Sequence, residues 1–406
     1  MTARRGLIAL GILAALGLAE GGLRVVAALD PRVRFLATGR ATRPAVTYAT
    51  LEEFIAAQAA HITPHQPWYN HWSNAFGFHD EEFVEPKPAG RLRVLVVGDS
   101  FTFGPVPYPQ GVMTLTQAGL RTACGGRDLD LLNMGLMGAG APEYRILVEL
   151  GAPRFTPDLV LVNLFVGNDA PDLHRHVHDR SPAERVLRRS YTWTFFKNVA
   201  RARGGLRDLR LPARVRETRP TAEDPQGGTP IDPASAPAED DPALVGPILS
   251  EAAYEQVLAF DLGRFYRPRD ERDIRAAWQP MLAELDILRG AAARAGARVA
   301  LALLPSVLQV DDALRAATVA RLSASLRYRG LSSAEIDPRL PNTVLADYAR
   351  TRGIPYIDLT AAFAAGDGAG GGEPLYKRRD NHWTPRGNRL AGRSLIAFLA
   401  PLMCPR

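Results

Sequence analysis

The chain has 406 residues, of which 46% are hydrophobic and 23% charged, a balance that is typical of a folded protein and excludes a disordered polar chain. Its formal net charge of +6 comes mostly from arginines interspersed with Asp and Glu, so we expect no nucleic acid partner. The two cysteines, Cys124 and Cys404, exclude a disulfide-rich scaffold and could pair with each other only in an oxidising compartment.

Residues 1–30 predict a membrane anchor or an export signal. Two arginines precede a charge-free apolar run from Gly6 to Ala19, and a further apolar stretch reaches Leu29. As a helix this stretch is long enough to cross a bilayer, and the arginines favour a cytoplasmic N-terminus. We expect an uncleaved transmembrane helix with the rest of the chain on the periplasmic or extracytoplasmic side. The alternative is secretion after signal cleavage.

Residues 31–90 are predicted to form a stalk and lead-in segment between this helix and the main domain. The segment is rich in aromatic residues, namely Trp68, Tyr69, Trp72, Phe76 and Phe78. We expect these rings to pack the segment onto the main domain, and the alternative is that they line a substrate cleft.

The first predicted strand of the main domain covers residues 93–97 and is followed by Gly98, Asp99 and Ser100. Aliphatic and β-branched residues bounded by glycine indicate a buried strand. Ser100 then lies at the carboxyl end of a strand, where open α/β sheets form their binding crevices. Its hydroxyl is either a nucleophile or an N-cap of the next helix.

Two further predicted strands end in glycine-containing turns. Residues 131–136 lead into Gly138, and residues 157–164 lead into Asn168 and Asp169. Gly138 lets the backbone approach a substrate closely, and Asn168 provides a neutral amide donor. The alternative is that these residues only form turns.

Residues 170–275 are predicted to be an insertion. The part from 215 to 245 is rich in Pro, Gly, Ala and acidic residues and is expected to be a mobile loop. Its flanks are apolar enough to pack, and they could cover the site as a cap. A glycine-rich stretch at 364–372 is a second predicted flexible element that could gate access.

Two more strands are predicted at 298–304 and 355–357, and helical patterns follow the earlier strands at 112–123 and 142–153. Strands that alternate with helices favour a parallel sheet covered on both faces. We therefore predict an α/β fold with three layers and a doubly wound parallel sheet.

The last informative block is Asp380-Asn381-His382-Trp383, which precedes a predicted C-terminal helix. His382 has the side chain of a general base, because imidazole titrates near neutral pH. Asp380 could hold the imidazole tautomer and stabilise the imidazolium. The alternative for His382 is a buried structural histidine.

Ser, Gly, Asn and His thus occur in four blocks in this order, and with these blocks residues 74–400 resemble the SGNH (GDSL-type) hydrolase superfamily. The resemblance implies a flavodoxin-like three-layer fold and a serine hydrolase site within a domain at residues 91–406. The segment 74–80 is similar to the lead-in of membrane-anchored bacterial members of this superfamily.

The resemblance also implies the roles of the site residues. Ser100 corresponds to the nucleophile, His382 to the base and Asp380 to the acid that orients it. The oxyanion hole corresponds to the N–H of Ser100, the N–H of Gly138 and the side-chain amide of Asn168.

One spacing departs from the common pattern of the superfamily. The acid usually stands three residues before the histidine, but Arg379 occupies that position here and Asp380 stands two residues before His382. The Asp-x-His-Trp form is similar to that of alginate-type O-acetylation proteins. The orienting role of Asp380 is therefore less firmly implied than the role of His382, and acyl transfer to a sugar hydroxyl stays open beside hydrolysis.

We expect no metal and no cofactor. The histidines outside the last block are scattered in the sequence, as His61, His65, His71, His174, His176 and His178. The last three alternate, which on a strand would put them on one face, but no cysteine or carboxylate cluster accompanies them.

The sequence therefore predicts an extracytoplasmic serine esterase that hydrolyses acyl or acetyl esters, with an acylated small molecule or a cell-envelope glycan as substrate. One alternative is an O-acyltransferase that acetylates an exopolysaccharide. A further alternative is a glycan-binding protein without catalytic activity.

Overall fold

The computed structural model describes residues 2–29, 33, 48–58, 62–68, 71–178, 190–192, 195, 241–325, 328, 331–366 and 374–404. The chain divides into two compact units, one made of residues 1–47 and 175–210 and the other of residues 48–174 and 211–406. The larger unit holds every residue of the four sequence blocks.

The described part of the chain contains seven short strands, five of which form one parallel sheet. The seven strands are β1 (Pro67–Trp68), β2 (His71–Trp72), β3 (Leu92–Gly98), β4 (Leu129–Gly135), β5 (Leu159–Phe165), β6 (Arg298–Leu304) and β7 (Tyr356–Asp358). The strand order of the large sheet is β4-β3-β5-β6-β7, and β1 and β2 pair as a separate antiparallel ribbon. The predicted α/β fold with a parallel sheet is confirmed.

The described α-helices vary from 4 to 28 residues in length. They are α1 (Thr2–Leu29), α2 (Leu51–Ala57), α3 (Ser100–Phe103), α4 (Val112–Ala123), α5 (Ala141–Phe155), α6 (Leu173–His178), α7 (Pro242–Val245), α8 (Glu251–Leu262), α9 (Glu271–Arg294), α10 (Val307–Val310), α11 (Asp312–Leu322), α12 (Leu340–Arg352), α13 (Thr360–Ala365) and α14 (Pro385–Met403). Two 3₁₀ turns cover Tyr108–Gln110 and Ser333–Glu335.

Helices cover both faces of the large sheet. On one face the buried Arg93 of β3 donates to the carbonyl of Phe155 at the end of α5, at 3.0 Å. On the opposite face Asn163 of β5 donates to Thr102 Oγ1 of α3, at 3.0 Å. β4 and β5 are buried along their whole length, because helices cover both of their faces. Such strands are typically continuous apolar runs in the sequence.

The connections between the strands change direction at one point of the sheet, between β3 and β5. The chain runs from β3 outward to β4 and then returns to β5 on the other side of β3. Loops leaving β3 and β5 therefore separate in opposite directions, and a crevice forms at the carboxyl ends of these two strands. Ser100 follows β3 and Asn168 follows β5, so both lie at this crevice.

The aromatic part of the lead-in segment packs against the domain. Phe76 and Phe78 are buried, and the ring of Phe76 meets that of Phe155 at a centroid distance of 5.9 Å. The burial of Phe76 and Phe78 agrees with the expectation that the aromatic rings of this segment pack onto the main domain. Tyr69 lies outside the described residues.

Cys124 and Cys404 form a disulfide bridge with a Cα–Cα distance of 5.0 Å. Cys124 follows the end of α4 and Cys404 follows the end of α14, two helices that pack against each other. The bridge joins residues that are 280 positions apart in the sequence.

His174, His176 and His178 belong to helix α6 and not to a strand, so their alternation does not place them on one face. Among the described residues, no helix combines the length and the apolar character that a membrane span requires.

Parts of the predicted flexible elements lie outside the described residues. These parts are residues 215–240 of the insertion and residues 367–372 of the glycine-rich stretch. The last residues of the predicted mobile loop are described and form α7, so this part of the loop is helical, and the C-terminal flank of the insertion includes α8.

Candidate active site

The turn between β3 and α3 presents Ser100 at the first position of a helix. The preceding residue, Asp99, is the N-cap, and its carboxylate accepts the backbone N–H of Phe101 at 3.0 Å. The capping function suggested for this turn therefore belongs to Asp99. The hydroxyl of Ser100 is left for another partner.

That partner is His382, which comes from the far end of the chain. Its Nε2 lies 2.7 Å from Ser100 Oγ, and its Nδ1 lies 2.8 Å from Asp380 Oδ1. A carboxylate only accepts hydrogen bonds, so Nδ1 carries the proton and Nε2 is free to accept from the serine hydroxyl. The three predicted residues thus form a continuous chain of hydrogen bonds in the direction that nucleophile activation requires.

Asp380 is held as a carboxylate. Burial alone would raise its pKa, but the charge and hydrogen bond of His382, together with Lys377, outweigh burial and lower the pKa to about 2. The side chain is only 12% exposed. A permanently negative partner stabilises the imidazolium that forms when His382 takes the serine proton.

The unusual spacing between acid and base is accommodated by a tight turn. Lys377 N–H donates to the carbonyl of His382 at 2.9 Å, and Asp380 N–H donates to the carbonyl of Lys377 at 3.3 Å. Between them Arg379 adopts φ of +52°, in the left-handed region. The turn brings the carboxylate of Asp380 back toward the ring of His382, so an acid two residues before the histidine still reaches it.

The imidazole of His382 is supported by an aromatic wall. Phe101, directly after the serine, lies 5.0 Å from the His382 ring and 4.9 Å from the Trp383 ring, measured between centroids. Phe101 and Trp383 are both buried. Packing restricts the rotamers of the base and limits the water that reaches it.

The two remaining predicted residues, Gly138 and Asn168, lie at the carboxyl edge of the sheet on either side of the serine. Gly138 lies in the loop after β4, is exposed and has φ of +72°, a conformation that favours glycine. The amide of Asn168 donates to Asp99 Oδ2 at 2.9 Å, which leaves one N–H of that amide for another acceptor.

Asp99 was not predicted as a site residue, although it is part of the Gly98-Asp99-Ser100 sequence. It is fully buried and bonds both the helix N-terminus and Asn168. Burial raises its pKa to about 6, while these hydrogen bonds and the charge of His382 act in the opposite direction. Asp99 fixes the side chain of Asn168 beside the nucleophile.

Two more residues near the site, Lys377 and Tyr144, were not predicted, because their hydrogen-bond partners are distant in the sequence. The buried ammonium of Lys377 donates to the carbonyl of Pro105, which connects the loop after α3 to the turn that carries the base. Tyr144 of α5 donates its hydroxyl to Asp169 at 3.1 Å and so supports the Asn168 turn. Neither residue stands in a motif that marks it as a site residue.

The described part of the chain contains no group of three or more His, Cys, Asp or Glu side chains placed to hold a metal ion. The polar groups at the carboxyl edge of the sheet include the hydroxyl of Ser100, the imidazole of His382, the carboxylates of Asp99 and Asp380 and the amide of Asn168.

Comparison with known proteins reveals similarity at the level of solved structures only. No family model matches the chain, and no curated protein matches it. The crystal structure of the lipase/acylhydrolase from Enterococcus faecalis matches with a TM-score of 0.35 and 13% identity, over 78% of this chain and 98% of that chain. The acetyl xylan esterase AlAXEase matches with a TM-score of 0.34 and 14% identity, over 75% of this chain and 98% of that chain. These scores are too low for the likeness to support a functional argument.

Proposed function

We propose that the protein is a serine hydrolase that cleaves carboxylic esters through an acyl intermediate on Ser100. The observation that carries this proposal is the hydrogen-bonded chain from Ser100 Oγ through His382 to Asp380, with distances of 2.7 and 2.8 Å. A serine hydroxyl is a weak nucleophile, and a base aligned in this way is what makes it reactive.

Each half of the proposed reaction uses the same groups. Ser100 Oγ attacks the ester carbonyl carbon while His382 Nε2 takes the hydroxyl proton, and Asp380 stabilises the resulting imidazolium. The tetrahedral intermediate collapses, the imidazolium protonates the leaving alcohol, and an acyl-serine remains. Water then attacks the acyl group with His382 again as base, and the carboxylic acid and free Ser100 are released.

The negative oxygen of the intermediate needs donors that are already in place. We assign this role to the N–H groups of Ser100 and Gly138 and to the second amide N–H of Asn168. The hydrogen bond from Asn168 to Asp99 supports this assignment, because it holds the amide beside the serine turn before substrate arrives.

Replacement of the nucleophile tests the proposal. The variant Ser100→Ala is expected to lose hydrolysis of p-nitrophenyl acetate and labelling by a fluorophosphonate, both measured on purified protein. A matched control is Ser394→Ala, which removes a hydroxyl that bonds the carbonyl of Leu390 within helix α14 and should leave both signals unchanged. Full activity in Ser100→Ala would refute the proposal.

Transfer of the acyl group to a glycan hydroxyl is the second candidate function. It is favoured by the Asp-x-His-Trp spacing, which the turn around Arg379 accommodates with a direct acid–base contact. The acyl-serine is shared by both reactions, so the acceptor decides between them. Competition between water and an oligosaccharide, followed by mass spectrometry of the acetylated glycan, measures which acceptor gains the acyl group faster. A protein that only binds glycans would fail to react with the fluorophosphonate.

We further propose that the domain functions outside the cytoplasm. The Cys124–Cys404 disulfide supports this location, because such bridges persist in oxidising compartments. The arginines and apolar run of residues 1–30 support export. Cell fractionation with N-terminal sequencing distinguishes a retained membrane anchor from a cleaved signal, and recovery of reduced, uncleaved protein from the cytoplasm would contradict the proposal.

A further inference from the structure

Asp261, in helix α8 of the insertion, is a buried carboxylate that contacts the turn carrying the acid and base. It is 1% exposed. Its Oδ2 accepts hydrogen bonds from Ser306 Oγ at 2.7 Å and from Asn381 Nδ2 at 3.3 Å. Asn381 stands between Asp380 and His382, so Asp261 bonds the one side chain that separates the two members of the acid–base pair.

The same turn is bonded to the insertion through its backbone. Between α7 and α8, the N–H of Ile248 donates to the carbonyl of Arg378 at 3.2 Å, and the N–H of Leu249 donates to the carbonyl of Arg379 at 3.3 Å. The N–H of Arg378 donates in return to the carbonyl of Val245 at 3.2 Å. The insertion therefore lies along the acid–base turn and is hydrogen-bonded to its backbone.

Asp261 also reaches the block that contains Asn168. A Cβ placed on Gly167 would lie 2.9 Å from Asp261 Oδ1, so the glycine leaves the space that the carboxylate occupies. The carboxylate thus lies between the residue before Asn168 and the residue before His382. Burial raises the pKa of Asp261 to about 7, although the charge of Arg264 and the two hydrogen bonds oppose this.

A buried carboxylate costs free energy unless its neighbours satisfy it, and here one of the two hydrogen-bond donors, Asn381, belongs to the acid–base turn. The turn it contacts contains Arg379 at φ of +52°, a conformation that a residue with a Cβ adopts only when surrounding structure holds it. Contacts from outside the turn are therefore needed to keep Asp380 and His382 in their observed arrangement.

We propose that Asp261 is a positioning residue of this site, which acts through Asn381 to hold the acid–base turn in line with Ser100. The inference rests on the proposed esterase function and assigns a role to the insertion within it. Asp261 does not contact the reacting atoms. Its role is to raise the fraction of molecules in which His382 lies within hydrogen-bond distance of Ser100.

The first test replaces the carboxylate with its isosteric amide. In Asp261→Asn the amide oxygen can still accept from Ser306 and Asn381 at the position of Oδ2, but both hydrogen bonds lose the charge of the carboxylate and become weaker. We expect kcat for p-nitrophenyl acetate to fall about tenfold with KM within about twofold, and fluorophosphonate labelling of Ser100 to slow by a similar factor. The control is Glu255→Gln, which removes an acid on the same helix that pairs with Arg321 at 3.5 Å, and it should leave kcat unchanged.

The second test asks whether Asp261 acts through Asn381. Asn381→Ala removes the amide without burying a new group and is expected to reproduce the loss in kcat. The double variant Asp261→Asn with Asn381→Ala is expected to be no slower than the slower single variant, because residues that act through one contact are not additive. If Asp261→Asn does not fold, as judged by circular dichroism, Asn381→Ala alone decides the role of the contact.

Two outcomes overturn the inference: folded variants that keep the wild-type kcat, or a double variant whose loss is the product of the single losses. Failure of the proposed function is recognised separately, since the wild-type protein would then show no Ser100-dependent activity. In that case hydrogen exchange of the peptide spanning residues 374–384 decides the inference. Faster exchange in Asp261→Asn than in Glu255→Gln supports positioning, and equal exchange overturns it.

Discussion

The serine turn and the acid–base turn meet in one site but are built in different ways. The serine turn consists of consecutive residues: β3 ends at Gly98, Asp99 caps α3 and Ser100 begins it. The acid–base turn around Arg379 depends on contacts from elsewhere, including the insertion and the loop after α3. A local turn is specified by its own residues, whereas the second turn is specified by the fold around it.

The largest expected effect comes from breaking the acid–base turn at Asp380. We expect Asp380→Asn to lower kcat by about 10³- to 10⁴-fold, because an amide that donates to Nδ1 favours the wrong tautomer of His382. Esterase assays of this variant against Asp312→Asn, an exposed acid on α11, measure the loss. A decrease of less than tenfold would contradict the assigned role.

The same substitution has a pH signature in stability. The pKa of Asp380 is lowered from 3.8 to about 2, so its stabilising contribution is present above pH 3.8 and is lost as the pH falls toward 2. Acid unfolding of Asp380→Asn should lack this part of the pH dependence. Identical acid unfolding curves for the two proteins would contradict the expected linkage.

Loss of the disulfide is expected to affect stability without disturbing either turn. Cys404 follows a 19-residue helix that begins beside the acid–base turn, and that length places it about 28 Å from the start of the helix. We expect the double variant Cys124→Ser and Cys404→Ser to lose about 2–5 kcal/mol in the free energy of unfolding. Its kcat at low temperature should stay within about twofold of wild type, and a larger loss would connect the bridge to the site.

The serine turn can be broken locally at Gly98. A Cβ at this position would lie 2.0 Å from Thr102 Oγ1 and 3.0 Å from Asn163 Cβ, so one of them must move. We expect Gly98→Ala to lower the free energy of unfolding by about 1–3 kcal/mol, as overpacking typically does. Gly290→Ala is a suitable comparison for the loss of a glycine, since its added Cβ would meet the end of the Arg294 side chain at an ordinary contact distance of 3.5 Å. Equal stability of Gly98→Ala and wild type in urea would show that the turn tolerates a side chain.

The smallest expected effect concerns Asp80, which supports the neighbouring strand. Its carboxyl accepts the N–H of Asn133 on β4 at 2.8 Å and the hydroxyl of Tyr108 at 3.0 Å. Burial raises the pKa of Asp80 from 3.8 to about 7, so the folded state keeps a proton that the unfolded state releases. Its contribution to stability is then full below pH 3.8 and is lost as the pH rises toward 7.

Urea unfolding between pH 4 and pH 8 measures this dependence. Asp80→Asn should show a shallower decline of stability with rising pH than wild type does. Asp99 and Asp261 have raised pKa values too, so part of the decline should persist in the variant. An unchanged slope would show that Asp80 does not titrate in the folded protein.

Sequence patterns were most informative where neighbouring residues specify the structure. The helical pattern at 112–123 coincides with α4, and the apolar runs before Ser100 and Asn168 correspond to β3 and β5. Strands buried on both faces are long apolar runs bounded by glycine, which makes them visible without knowledge of their partners.

The sequence by itself determined the five strands of the large sheet and the residue types of the site, because these depend on short-range rules of propensity and turn geometry. Only the tertiary structure decided that an acid two residues before His382 reaches it and that Cys124 meets Cys404. The same holds for the support of the acid–base turn by Asp261. These contacts join residues far apart in the chain, and their free energy is gained only when the sheet and its helices bring them together.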